Sequence, residues 1–145
     1  MRTISTLILL PLLWGHTAMT LRAEALNGRW WTQGREWQVQ IYTDPEGHFA
    51  GKVVAGPRPD EKDVHNPDPR LRQRPLLGLV ILQGFVQDTP LDWKNGQIYD
   101  PESGNYYKAK IWLSPNDPNH LKLKGYIGFS LFGRTSEWTR ELGGK

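Results

Sequence analysis

The residues best suited to chemistry lie in one stretch. From position 63 to 74 the chain reads Asp-Val-His-Asn-Pro-Asp-Pro-Arg-Leu-Arg-Gln-Arg, so the oxygen donors Asp63, Asn66 and Asp68 precede arginines at alternate positions, Arg70, Arg72 and Arg74. A guanidinium offers a planar fork of donors to a carboxylate or phosphate, and three on one proline-stiffened loop suit an anionic headgroup. The same arginines balance Asp60, Glu61, Asp63 and Asp68 within that loop, and internal pairing is the commoner use of such charge. Two readings therefore stand side by side. Arg70, Arg72, Arg74, Asp63, Asn66 and Asp68 form a ligand-binding set, or they tie the loop to the fold. In the second case Arg72, between the other two, is expected to carry the largest stability loss, with Leu71 and Leu76 pinning the loop.

Other chemistries find less support. The D-x-x-N-x-D spacing is not a calcium loop and lacks its distant bidentate glutamate. His48, His65 and His120 sit in or beside turns, without H-E-x-x-H or H-x-H spacing, so the expectation is no metal and no cofactor. Gly128-Phe-Ser130-Leu-Phe-Gly133 has one residue too many for a hydrolase elbow, and both phosphate-binding glycine motifs are absent. With no cysteine in the chain, thiol catalysis, disulfides and cysteine-bound zinc are excluded. A hydrolase acting on envelope polymers would need an acid–base pair. His65 with Asp63 or Asp68 is the nearby candidate, since Asp100 and Glu102 share a turn. The sequence favours a non-enzyme.

These side chains need a scaffold, and its compartment is written at the N-terminus. Arg2 precedes an apolar run through Ile4, Leu7–Leu10, Leu12, Leu13 and Trp14, followed by Ala18, Ala23 and Ala25. That run is long enough for a secretory signal and too short to span a bilayer. Residues 1–25 are read as a signal peptide cleaved between 18 and 25, and residues 26–145 as one domain. The expected product is exported, periplasmic or secreted, with no membrane span after cleavage and monomeric. The formal net charge of +3 over 145 residues is too small to imply nucleic acid.

The remainder alternates with period two, the mark of half-buried strands. Trp37, Val39 and Ile41 share one face, with Gln38, Gln40 and Tyr42 opposite. Tyr107, Ala109, Ile111 and Leu113 alternate with Lys108 and Lys110, and Leu121, Leu123 and Gly125 with Lys122 and Lys124. If these two strands, the sixth and seventh, pair, the lysines form a basic stripe. Eight strands are expected, near 28–33, 37–43, 48–54, 77–87, 93–99, 106–114, 120–127 and 134–141. Asp44-Pro-Glu-Gly47 and Asp100-Pro-Glu-Ser-Gly104 read as turns, and Asn95-Gly96 as a two-residue hairpin pair. Consecutive antiparallel strands with short links predict a closed eight-stranded all-β barrel. Residues 55–76 form its one long loop, with a single helical turn capped by Asp68, opened by Pro69 and ended by Pro75.

Gly28-Arg-Trp30 at the first strand and Trp138-Thr-Arg140 at the last resemble the calycin superfamily of lipocalins and fatty-acid-binding proteins. There a cation from the last strand lies on the first strand's tryptophan and closes the barrel floor. Residues 63–79, Gly96–Gly104, Leu123–Gly128, Gly133–Thr135 and Trp138–Arg140 are similar to the bacterial exported family catalogued as domain of unknown function 2147. The resemblance implies a small exported lipocalin-like barrel without an assigned activity. The reading that follows is a non-enzymatic binder of a small apolar, amphipathic or anionic envelope ligand, held in the mouth with Arg72 and Arg74 as anionic contacts. The alternative is a structural or protein-interaction barrel, filled solid by residues such as Trp37, Phe49, Phe85, Tyr107 and Trp138.

Overall fold

The computed structural model describes residues 25–126 and 134–143. The signal segment up to residue 24 and the stretch from Gly128 to Gly133 lie outside the described residues. Eight strands follow one another: β1 (Gly28–Trp31), β2 (Gln38–Thr43), β3 (Phe49–Ala55), β4 (Val80–Thr89), β5 (Asp92–Asp100), β6 (Asn105–Ser114), β7 (Asp117–Tyr126) and β8 (Thr135–Arg140). Each pairs antiparallel with the next, and β8 returns to β1 through Trp30↔Arg140 and Trp31↔Thr139, closing the barrel. Alternation is the cause. Ala109, Ile111 and Leu113 on β6 and Leu121 and Leu123 on β7 are buried, whereas Lys108 and Lys110 are exposed and Lys122 and Lys124 half-buried. A sheet with one apolar face hides it by curling, and closure leaves no free edge.

The two ends of the barrel differ. At one, Arg140 lies 4.1 Å over the Trp30 ring and donates to the carbonyls of Asn27 (2.9 Å) and Ala25 (2.5 Å), while the Trp30 indole N–H donates to Leu26 O at 2.9 Å. This is the expected calycin floor, and Gly28 permits it. Its φ is +128°, and a Cβ there would stand 3.0 Å from the Arg140 guanidinium. Trp30, Phe85 and Trp93 are wholly buried, and Trp138 nearly so, which fills much of the interior. At the other end emerge the β1–β2 link, the long loop after β3 and the β5–β6 hairpin.

Three local expectations are corrected. Asn95-Gly96 is no hairpin; it lies inside β5 as a bulge, with Asn95 at φ +60° and a register shift between Trp93 and Gly96. Position 96 has to be glycine because the Phe85 ring occupies the place of its side chain, 2.3 Å from an ideal Cβ. Gln38 keeps to the face opposite Val39, paired with Trp31, yet it is buried rather than exposed, because both side chains donate to Glu141, the Gln38 amide at 3.3 Å. The fourth strand starts at Val80, not 77. Gly78 at φ +84° turns the chain, and Leu76 is buried under the loop instead of in the sheet.

Candidate functional site

The long loop is organised around one buried carboxylate. Asp63 is fully buried, and its Oδ2 accepts from the Arg74 guanidinium through Nε and Nη2, both at 2.8 Å. Asn66 Nδ2 donates to the same oxygen at 2.9 Å, and the Tyr99 hydroxyl donates to Oδ1 at 2.5 Å. Burial pushes the Asp63 carboxyl up, but hydrogen bonds from Tyr99, Asn66 and Arg74, with the guanidinium charge, hold it below the usual carboxylate range. Burial and then the adjacent carboxylate push the Tyr99 phenol up to about 12. The network reaches from the loop to β5, so it locks the loop onto the barrel. Backbone packing completes the lock, since Gly104 (φ +71°) lies against the His65 carbonyl, which would be 2.0 Å from a Cβ.

The remaining loop residues are used locally. Asp68 caps the expected turn, now a short 3-10 turn over Pro69–Leu71, by accepting from Arg70 N at 3.0 Å. Arg70 forks back to Asp68 and is almost wholly exposed. Arg72 is exposed and donates to Asn66 O at 2.8 Å. The expectation placed the decisive pairing at Arg72; the structure puts it at Arg74, because the loop folds back in the bridge Lys62↔Pro75 and brings Arg74 beside Asp63. Leu76 pins the loop as expected, but Leu71 is exposed. The proposed acid–base pair is not assembled: Asp63 is engaged with Arg74, Asp68 with Arg70, and the exposed His65 makes no hydrogen bond or ion pair with either.

Beside the loop the barrel opens into a cleft of about 340 Å³. Leu76, Ile81, Ile98, Trp37 and Trp138 give it an apolar floor, and Glu36, Arg58, Glu61, Lys62, His65, Asp100 and Glu102 give it a charged rim. Arg58 straps the rim. It donates to Glu61 at 2.6 Å, bridges to Glu36 on the β1–β2 link at 2.9 Å, and lies over the Trp37 ring. The loop does border the mouth, as expected, but through its first half. Arg70, Arg72 and Arg74 do not line the cleft.

The family of uncharacterised proteins conserved in bacteria, domain of unknown function 2147, matches residues 28–140. The chain belongs to this family. A solved structure from the human pathogen Helicobacter pylori, of a protein that belongs to the lipocalin family, superposes with a TM-score of 0.69 at 24% identity, covering 80% of this chain and 82% of that one. The likeness establishes a lipocalin-like fold. No curated protein matches the chain significantly.

In this family member the mouth residues Glu36, Trp37 and Arg58 escaped the reading by motif. The available signal was Arg58 between Pro57 and Pro59 with Glu61 three residues on, a stiff segment with its own ion pair. A second set of donors also escaped it. Asp44, Glu46 and His48 share the β2–β3 turn, with ligand atoms within 4.8 Å of one another. Asp44 Oδ1 is occupied by the backbone N–H groups of Glu46 and His48, both at 2.9 Å. Their side chains are set against one another, His48 Nδ1 lying 3.6 Å from the Glu46 carboxylate and 4.0 Å from that of Asp44.

Proposed function

We propose that the protein is an exported, non-enzymatic binding barrel that takes one small amphipathic molecule at its mouth. The cleft carries this reading: apolar residues at its base, charge at its rim, at the end away from the Trp30–Arg140 floor. Its 340 Å³ lies near the lower bound of ligand pockets, so the ligand is small. The rim holds four carboxylates (Glu36, Glu61, Asp100, Glu102) against Arg58 and Lys62. A neutral or cationic polar end therefore suits it better than an anionic one. The rival, a solid structural barrel, is favoured by the wholly buried Trp30, Phe85 and Trp93.

Trp37 and Trp138 border the cleft and supply a built-in reporter. Indole fluorescence is followed while decyltrimethylammonium, a decyl glycoside and decyl sulfate are titrated below their micelle points. Saturable binding of the first two, weaker for the sulfate and reduced for the ammonium in Glu61→Gln/Glu102→Gln, is the expected result. No response to any of the three, with a bare mass in native mass spectrometry of envelope-extracted protein, favours the solid barrel instead. The same mass spectrum tests export, which predicts loss of the segment ending between residues 18 and 25.

A further inference from the structure

The outer wall of the barrel carries a second surface, distinct from the mouth. Lys94, Gln97, Lys108, Lys110 and Tyr126 surround an open groove of about 620 Å³ whose bed is formed at Gly96 and Ala109. The bed is low for a structural reason. Gly96 and Ala109 are register partners on β5 and β6, both buried, so neither raises a side chain on the outer face. The bulge at Asn95 interrupts the ladder beside the same point.

Charge on this wall is uncompensated. Lys110 stands directly opposite Lys124 across the β6–β7 ladder, and Lys108 opposite Tyr126. Like charges in that position destabilise a strand pair. Among the described residues Lys94 is paired with Asp88 at 2.6 Å and Lys122 with Glu137 at 3.7 Å, whereas Lys108, Lys110 and Lys124 have no carboxylate. Lys110 and Lys124 instead lie over the rings two residues on, Trp112 at 5.3 Å and Tyr126 at 5.5 Å. Three free ammonium groups on one wall equal the formal net charge of the whole chain, +3.

We propose that this groove binds a carboxylated polysaccharide. An anion laid along it relieves the Lys110–Lys124 repulsion. Lysine reads charge without demanding the bidentate geometry that arginine imposes, which suits carboxylates spaced along a flexible glycan. The Tyr126 ring provides a face for a sugar ring, and Asn95 and Gln97 provide amides for its hydroxyls. A barrel wall is convex, so a planar charged surface meets few of these lysines at once, while a narrow chain meets them in sequence.

The probe is fluorescently labelled polygalacturonate, titrated with protein purified from cells expressing the full chain, with dextran as the neutral control. Three neutralised sites give an affinity that falls about 20-fold between roughly 50 and 200 mM salt. Lys108→Gln/Lys110→Gln/Lys124→Gln is expected to abolish most binding and flatten that salt dependence, with a melting temperature no lower than that of the wild type, because these side chains face water and the Lys110–Lys124 repulsion is removed. Tyr126→Ala is expected to weaken binding at every salt concentration while keeping the slope. Absence of binding at low salt, wild-type binding by the triple lysine variant, unchanged affinity in Tyr126→Ala, or tighter binding of single-stranded DNA of matched charge each overturns the proposal.

Discussion

Replacing Arg74 by alanine removes the guanidinium that pairs with a carboxylate having no access to water. Asp63 has 0% side-chain exposure and Arg74 30%. Removing one partner of a buried ion pair costs about 3–5 kcal/mol, because the other charge is left without compensation. Here Tyr99 and Asn66 still donate to Asp63, and water can enter where the guanidinium was, so the expected loss is about 2–4 kcal/mol. For a domain of this size that lowers the melting temperature by roughly 8–16 °C. The other two arginines set the scale. Arg72→Ala forfeits one charged hydrogen bond to a carbonyl from an exposed side chain, about 0.5–1.5 kcal/mol, and Arg70→Ala only a solvated pair, the smallest effect of the three. Urea unfolding at pH 7 and pH 4 measures all three. The wild-type carboxyl titrates below its unfolded value, so its contribution is present at neutral pH and lost as pH falls below about 4. Without the guanidinium, burial raises that pKa, so the deficit of Arg74→Ala relative to wild type shrinks between pH 7 and pH 4. Adding Asp63→Asn to Arg74→Ala is expected to cost little more than Arg74→Ala alone, since the two changes break one interaction. Equal losses for Arg70, Arg72 and Arg74, or a larger loss at Arg72, would refute the reasoning that the buried carboxylate anchors the loop.

Two further outcomes are expected. Tyr99 sits near 12 when folded, against an ordinary value of 10; its stabilising effect is complete below pH 10 and declines as pH rises to 12. That amounts to about 2–3 kcal/mol over the interval, and Tyr99→Phe, followed by unfolding titrations at pH 9 and 11, should lack this decline. Trp30→Ala empties a wholly buried site and removes the ring beneath Arg140. A loss of about 3–5 kcal/mol in chemical denaturation is expected, and a loss under about 1 kcal/mol would show that the floor does not bear on stability.

The sequence by itself determined the barrel and its floor. Period-two alternation on β6 and β7 leaves one apolar face to bury, and turn residues at 44–47 and 100–104 fix where the chain reverses. The Gly28/Trp30 and Trp138/Arg140 pairs sit at the two ends of a closed sheet, so their meeting follows once closure is accepted. Local chemistry was legible as well, as Asp68 capping the turn at Pro69–Leu71 shows. Only the tertiary structure decided which arginine matters. Arg70, Arg72 and Arg74 alternate identically in sequence; the loop's fold-back at Lys62↔Pro75 brings one of them to Asp63, and Tyr99, 36 residues away in the chain, supplies the other donor. The mouth was hidden for the same reason. Its lining comes from the β1–β2 link, the long loop, β4, the β5–β6 hairpin and β8. The glycine at position 96, likewise, is required by the Phe85 ring of a neighbouring strand and not by a turn in its own dipeptide. Contacts between residues near in sequence are constrained by the backbone they share. Contacts across the barrel depend on strand register and loop path, which many residues set jointly and no short motif records.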